Sequence, residues 1–172
     1  NKTLSKIPSF WIQMTNQCNM RCKYCYIDHQ PLTLKKEVID NIVACIKTNL
    51  LEYNHRSVKI KIAGGEPLLQ YKNIYYFVSK VKQEITRKEN IKTEIVLLTN
   101  GTLLTDQIIQ FIKNEKIKVM VSIDGIGKSH DYQRPFVNGN GSHTETMNGI
   151  NKLLKCGIRP VISIVLTKQN IK

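Results

Sequence analysis

The sequence predicts an α/β fold of about five strand–helix units with parallel strands. Three observations predict it. Short apolar runs of strand length recur along the 172 residues. Each is followed by a glycine or polar loop, and then by a longer segment with apolar residues at helical spacing. No low-complexity stretch or linker interrupts the alternation. Strands that alternate with helices pair in parallel through right-handed crossovers. The spacing suits a doubly wound sheet or part of a β/α barrel.

The elements follow in order. Phe10-Trp-Ile-Gln-Met14 is the first strand, and it leads into a loop holding Cys18, Cys22 and Cys25. A helix is expected from about Leu34 to Tyr53, with Val38, Ile42 and Ile46 on one face and Ile39, Val43 and Leu50 beside them. Val58–Ala63 is the second strand, followed by Gly64-Gly-Glu-Pro67 and a helix carrying Ile74, Val78, Val81 and Ile85. Glu94–Thr99 is the third, ending at Asn100-Gly101, with Ile108, Phe111 and Ile112 on the next helix. Ile117–Ile123 is the fourth, ending at Asp124-Gly125. A helix with Met147, Ile150 and Leu154 then reaches Gly157, which reads as its C-cap glycine. Ile158–Leu166 is the fifth strand, and Thr167–Lys172 reads as the start of another helix.

Two details refine the pattern. Along the fourth strand, Val119, Val121 and Ile123 share one face, while Met120, Ser122 and Asp124 share the other. Lys59 and Lys61 alternate with Val58, Ile60 and Ile62, although a parallel strand is usually covered on both faces. An open, incomplete barrel tolerates this, because one face then meets water or a further domain.

Composition excludes several classes. The apolar runs are too short to span a bilayer, and Asn1–Pro8 lacks the apolar core of a signal peptide. A cytoplasmic protein without a membrane partner is expected. Five cysteines, three of them clustered, suit a reducing compartment and a metal site better than a disulfide framework. Net charge is +13, which invites an acidic partner. The lysines are spread along the chain, however, and no basic block is interleaved with aromatics, so nucleic acid is not the expected partner.

Ligands of parallel α/β sheets collect at the C-terminal ends of the strands. The cysteine loop, Gly64-Gly65-Glu66, Thr99-Asn100-Gly101 and Ser122-Ile-Asp124-Gly125 all lie at such ends. Cys18, Cys22 and Cys25 have C-x3-C-x2-C spacing, and no fourth cysteine follows nearby. Three thiolates can hold three irons of a cubane cluster and leave the fourth open. A ferredoxin-type cluster would need a fourth thiolate. His29, four residues after Cys25, offers a Cys3His zinc site and, with the basic charge, a small RNA-binding module. Zinc modules rarely sit on the first loop of a strand–helix repeat. Gly127-Lys-Ser129 fails as a phosphate loop, because the required earlier glycine is Ser122. Gly139-Asn-Gly141 is too little for a dinucleotide fingerprint. Cys45 and Cys156 read as a buried helix residue and a helix-end residue.

The C-x3-C-x2-C run with Tyr24 before its last cysteine resembles the signature of radical S-adenosylmethionine (SAM) enzymes. Gly64-Gly-Glu-Pro-Leu-Leu69 is similar to that family's motif after the second strand. Thr99-Asn-Gly-Thr-Leu-Leu104, Ser122-Ile-Asp-Gly125 and His130-Asp-Tyr-Gln-Arg134 resemble the branch of anaerobic sulfatase-maturating enzymes and SPASM-domain peptide maturases. The resemblance covers nearly the whole chain in order. It implies a partial (β/α)6 TIM-like barrel, truncated to about five β/α units, with residues 1–172 forming a radical SAM core domain incomplete at its C-terminus.

The resemblance also implies chemistry. Cys18, Cys22 and Cys25 would ligate a [4Fe-4S] cluster, and SAM would chelate its open iron. A 5′-deoxyadenosyl radical would then abstract hydrogen, most simply from a peptide or protein side chain. A small molecule or RNA is the alternative substrate. A flavodoxin- or ferredoxin-type protein would donate the electron. Gly64 and Gly65 would let backbone approach the ligand, and Glu66 would accept hydrogen bonds from the SAM ammonium. Tyr24 would pack on the adenine, unless it is a core aromatic. Asn100 and Ser122 suit the ribose or carboxylate of SAM, or stabilise their own turns. Arg134 would pair with the SAM carboxylate, its rival role being a surface salt bridge. Asp124 would face the ligand or orient its loop. No catalytic residue is assigned beyond these.

Overall fold

The structure, a computed structural model, describes residues 7–171. Most of the segment read for a signal peptide, and Lys172 at the end of the expected terminal helix, lie outside them. Five parallel strands form one sheet in the order β1-β2-β3-β4-β5: Ser9–Gln13, Ser57–Ala63, Lys92–Thr99, Lys118–Ser122 and Val161–Ser163. A doubly wound sheet reverses its strand order, whereas a barrel adds each strand beside the last. The sequential order therefore decides for the barrel arrangement, which the spacing of the motifs left open.

Helices α1 (Lys36–Glu52), α2 (Tyr71–Val81), α3 (Asp106–Asn114) and α5 (His143–Lys155) bury one face, and a short α4 (Lys128–Gln133) precedes α5. The core joins Ile12, Val58, Ile60, Ile62, Leu97, Val119 and Val121 of the sheet to Ile39, Val43, Phe77, Val78, Ile112 and Leu153 of the helices. Burial of such side chains contributes about 1.5–3 kcal/mol each. In α3 the Thr105 hydroxyl accepts a hydrogen bond from the Ile108 N–H at 3.3 Å, capping the helix. After α2 the backbone widens into a π turn over Lys82–Arg87 that keeps Ile85 buried. Among the described residues no helix is long and apolar enough to cross a membrane.

The other sheet face is open, which resolves the lysine alternation of β2. The register aligns Trp11 with Lys61 and Lys59 with Glu94. Glu94 bridges Lys59 at 2.9 Å and Lys118 at 2.7 Å, and the Lys61 ammonium sits 5.0 Å from the centre of the Trp11 ring. Trp11 remains 55% exposed.

Several expectations need correction. Val38 and Leu154 are exposed, because α1 and α5 turn Ile39 and Leu153 to the sheet. Cys45 is exposed as well, on the outer side of α1. The fifth strand is three residues long, not nine. Beyond Ser163 the Val165 N–H leaves the ladder and donates to Asp124 at 2.9 Å. The expected terminal helix is a single turn in which the Asn170 N–H reaches the Thr167 carbonyl, and the Asn170 side chain donates to the Asp124 carbonyl at 3.0 Å.

Candidate metal and cofactor site

The cysteine loop is stitched down on both sides. On one side Gly65 donates to Thr15 and Glu66 to Gln17, both at 2.8 Å. On the other, Arg21 donates to Pro135 at 2.8 Å and Lys23 to Gln133 at 3.0 Å. Met20 is buried between them. The glycines of the second loop are there for this approach. A Cβ on Gly65 would stand 2.2 Å from the Gln17 carbonyl oxygen, and one on Gly64 2.5 Å from that of Thr15. The expected closeness to a ligand is first of all closeness to the cysteine loop.

Cys18, Cys22 and Cys25 line one cavity of about 350 Å³. Tyr24, Gly64, Gly65, Asn100, Ser122 and Arg134 line it too, as do His29 and Trp11. The four strand-end loops therefore meet, as the parallel topology requires. Among the described residues no three His, Cys, Asp or Glu side chains converge tightly enough to hold a single metal ion. Burial pushes the Cys18 thiol up to about 11. Burial also raises Cys22, against the opposing pull of the Arg134 guanidinium. Loading metal there must displace protons.

Glu66 sits behind the cavity wall. It is fully buried and does not line the cavity. One carboxylate oxygen accepts from the Leu68 N–H at 3.1 Å and the Thr99 hydroxyl at 2.7 Å, and the other accepts from the Asn100 N–H at 2.8 Å. Burial raises its pKa to about 7 although these three donors pull it down. Its carboxylate ties the second loop to the third. The Asn100 side chain is similarly braced. It donates to Asn19 at 2.8 Å and accepts from the Thr102 hydroxyl at 2.8 Å.

Asp124 organises the remaining side through contacts with three segments. It is fully buried. One oxygen accepts from the Tyr24 hydroxyl and from Arg134 Nε at 2.8 Å, and the other accepts from the Val165 N–H. Burial and this hydrogen bond to Asp124 raise the Tyr24 pKa, so the phenol stays a donor. Arg134 is 8% exposed, so its ion pair is buried and not a surface bridge. Its Nη1 reaches Cys22 Sγ at 3.7 Å, and its guanidinium lies 5.5 Å from the Tyr24 ring centre. His130 completes the support. Its Nδ1 accepts from the Asp124 N–H at 3.2 Å, so Nε2 carries the proton and donates to Ser142 Oγ at 3.0 Å. Ser142 in turn donates to the Arg134 carbonyl at 2.5 Å. Burial holds the His130 pKa down at about 4.

Asn19, Thr99 and His130 escaped sequence reasoning as site supports. His130 and Arg134 lie six and ten residues after Asp124, a signal visible once a turn and a short helix are assumed. Asn19 has no signal outside the folded structure, because its partners Asn100 and Thr102 are 81 and 83 residues away.

Comparison with known proteins bears on this site. A model of the radical SAM superfamily matches residues 12–172. The chain is 31% identical over 147 residues to the serine-type anaerobic sulfatase-maturating enzyme of Bacteroides thetaiotaomicron, covering 82% of this chain and 35% of that enzyme. It is 29% identical over 166 residues to the GTP 3',8-cyclase of Helicobacter pylori, covering 92% of this chain and 46% of that enzyme. Its fold matches that of native anSMEcpe with bound AdoMet and Cp18Cys peptide with a TM-score of 0.82 and 25% identity, over 94% of this chain and 44% of that one. That likeness agrees with a partial barrel. The chain spans less than half the length of each of these proteins.

Proposed function

The chain belongs to the radical SAM superfamily, and on that premise we propose that it binds a [4Fe-4S] cluster through Cys18, Cys22 and Cys25 and SAM in the adjoining cavity. The observation that carries this reading is the convergence of the three thiols with Gly64, Gly65, Asn100, Ser122 and Arg134 around one cavity. Thiolates are the ligands such clusters require, and three of them leave one position for a second ligand. The match of the superfamily model to residues 12–172 favours this reading over the Cys3His zinc module.

When bound, the two cofactors supply reductive radical chemistry that abstracts a substrate hydrogen. The chain's own groups bind, orient and shield. Gly64 and Gly65 offer close backbone on one wall. Asn100 and Ser122 offer short polar groups at two strand ends, and Tyr24 offers an aromatic face. Arg134 offers a buried cation to an anionic group such as a carboxylate. Glu66 and Asp124 hold these groups in place from behind. In this reading residues 1–172 act as a radical SAM core domain.

The substrate we propose is a peptide or protein side chain, in line with the similarity to a sulfatase-maturating enzyme and to a structure solved with bound peptide. The similarity to a GTP cyclase supports the small-molecule alternative. For the electron donor we propose a flavodoxin- or ferredoxin-type protein. Anaerobic reconstitution with iron and sulfide tests the site. Iron uptake is expected in the wild type and in Cys45→Ala, and none in Cys22→Ala, with an electron paramagnetic resonance signal that SAM perturbs. Equal iron in both variants, or stoichiometric zinc without iron, would overturn the assignment.

A further inference from the structure

The arginine nearest the thiols makes an unusual set of contacts for a residue expected to serve a diffusible ligand. Its Nε is committed to Asp124 at 2.8 Å, and its Nη1 lies 3.7 Å from Cys22 Sγ. Its own backbone is pinned as well: the Arg134 N–H reaches the His130 carbonyl at 2.8 Å, and its carbonyl accepts from Ser142. Asp124 cannot swing away, because its carboxylate also holds the Tyr24 hydroxyl and the Val165 N–H. Cys22 is singled out among the three thiols. Cys18 receives a backbone N–H, from Met20 at 3.4 Å, and Cys22 receives a cationic side chain.

We propose that Arg134 is a hydrogen-bond donor to the Cys22 thiolate, held in that role by Asp124, and that it thereby raises the reduction potential of the cluster at Cys18, Cys22 and Cys25. This rests on the cluster assignment above. A donor aimed at a ligating sulfur withdraws electron density from it and favours the reduced, more negative cluster. Asp124 neutralises much of the guanidinium's long-range field, so what Cys22 receives is mainly the directional hydrogen bond. The ion pair is buried, with Asp124 fully enclosed and the Arg134 side chain 10% exposed, so solvent does not screen it. Arg134 and Asp124 are positioning residues in this scheme; neither reacts.

The test is a redox titration of the reconstituted protein without SAM, followed by electron paramagnetic resonance, with resonance Raman spectra of the iron–sulfur stretches. The relevant signals are those missing in Cys22→Ala. In Arg134→Gln, at wild-type iron content, the midpoint is expected to fall and an iron–thiolate stretch to rise in frequency. Asp124→Asn keeps the volume but drops the anchor, and the same stretch is expected to rise. Unchanged midpoint and stretch in these variants at equal iron would overturn the proposal. Should Arg134→Gln take up no iron, Arg134→Lys decides. It keeps the charge but cannot reach Asp124 and Cys22 together, and an unshifted stretch would equally overturn it. A wild type that binds no iron would instead defeat the underlying site assignment.

Discussion

Replacing Gly65 by alanine should unseat the cysteine loop without touching a thiol. The added Cβ would stand 2.2 Å from the Gln17 carbonyl oxygen and 2.7 Å from that of Asn16, where ordinary contact begins at 3.4 Å. Both obstacles are backbone, so no side chain can rotate out of the way. The two strands of chain must part by about an ångström. That breaks the hydrogen bonds from Gly65 to Thr15 and from Glu66 to Gln17, both 2.8 Å long. Each such bond contributes about 1 kcal/mol net, and forced overpacking costs about 1–3 kcal/mol. A loss of ~4 kcal/mol follows from these central values. With a urea dependence of about 2 kcal/mol per molar, the midpoint falls by about 2 M. Gln17 directly precedes Cys18, so iron uptake on anaerobic reconstitution should fall as well. Gly139→Ala is the control. Nothing lies within 4 Å of its Cβ, and its φ of +85° leaves only a conformational cost of about 1–2 kcal/mol, with iron uptake intact. Equal urea midpoints and equal iron in Gly65→Ala and wild type would refute the steric argument.

The other predictions concern the buried groups. His130 has a folded pKa of about 4 against 6.5 unfolded, so the unfolded chain binds more protons between those values. Its contribution to stability is therefore lost as pH falls from about 6.5 to 4, and His130→Asn should flatten that slope in urea titrations run across this range. Glu66 has the opposite sign. Its folded pKa of about 7 exceeds the unfolded 4.5, so stability attributable to it rises as pH falls from 7 to 4.5, and Glu66→Gln should remove that rise. The two slopes partly cancel in the wild type, which makes the single variants the informative measurement. Phe77 is fully buried in the core, and Phe77→Ala should cost about 3–5 kcal/mol in the same assay.

Much of the molecule was legible along the chain, because periodicity and spacing are local. All five strands could be read, and the three cysteines stood out because they lie on one short loop. The rule that parallel strands present their C-terminal ends together was enough to gather four distant loops on one face, and Tyr24, Gly64, Gly65, Asn100, Ser122 and Arg134 do line one cavity with the cysteines. The direction of each crossover was not legible, since a strand–helix unit reads alike whichever edge it extends. The strand order settled that. Helix faces were read one residue off at Val38 and Leu154, where apolar residues crowd both sides of the boundary and packing against the sheet selects between them.

By itself, then, the sequence determined the alternating α/β plan, the clustering of three thiols and the order of the strand-end motifs, because these depend on residue type and short-range spacing. Only the tertiary structure decided what the polar groups do. Glu66 joins two loops, since its oxygens meet Leu68, Thr99 and Asn100. Asp124 gathers Tyr24, Arg134 and Val165 from three separate segments. A carboxylate's role is set by which donors surround it and by how much water it has lost, and both depend on contacts between segments far apart in the chain.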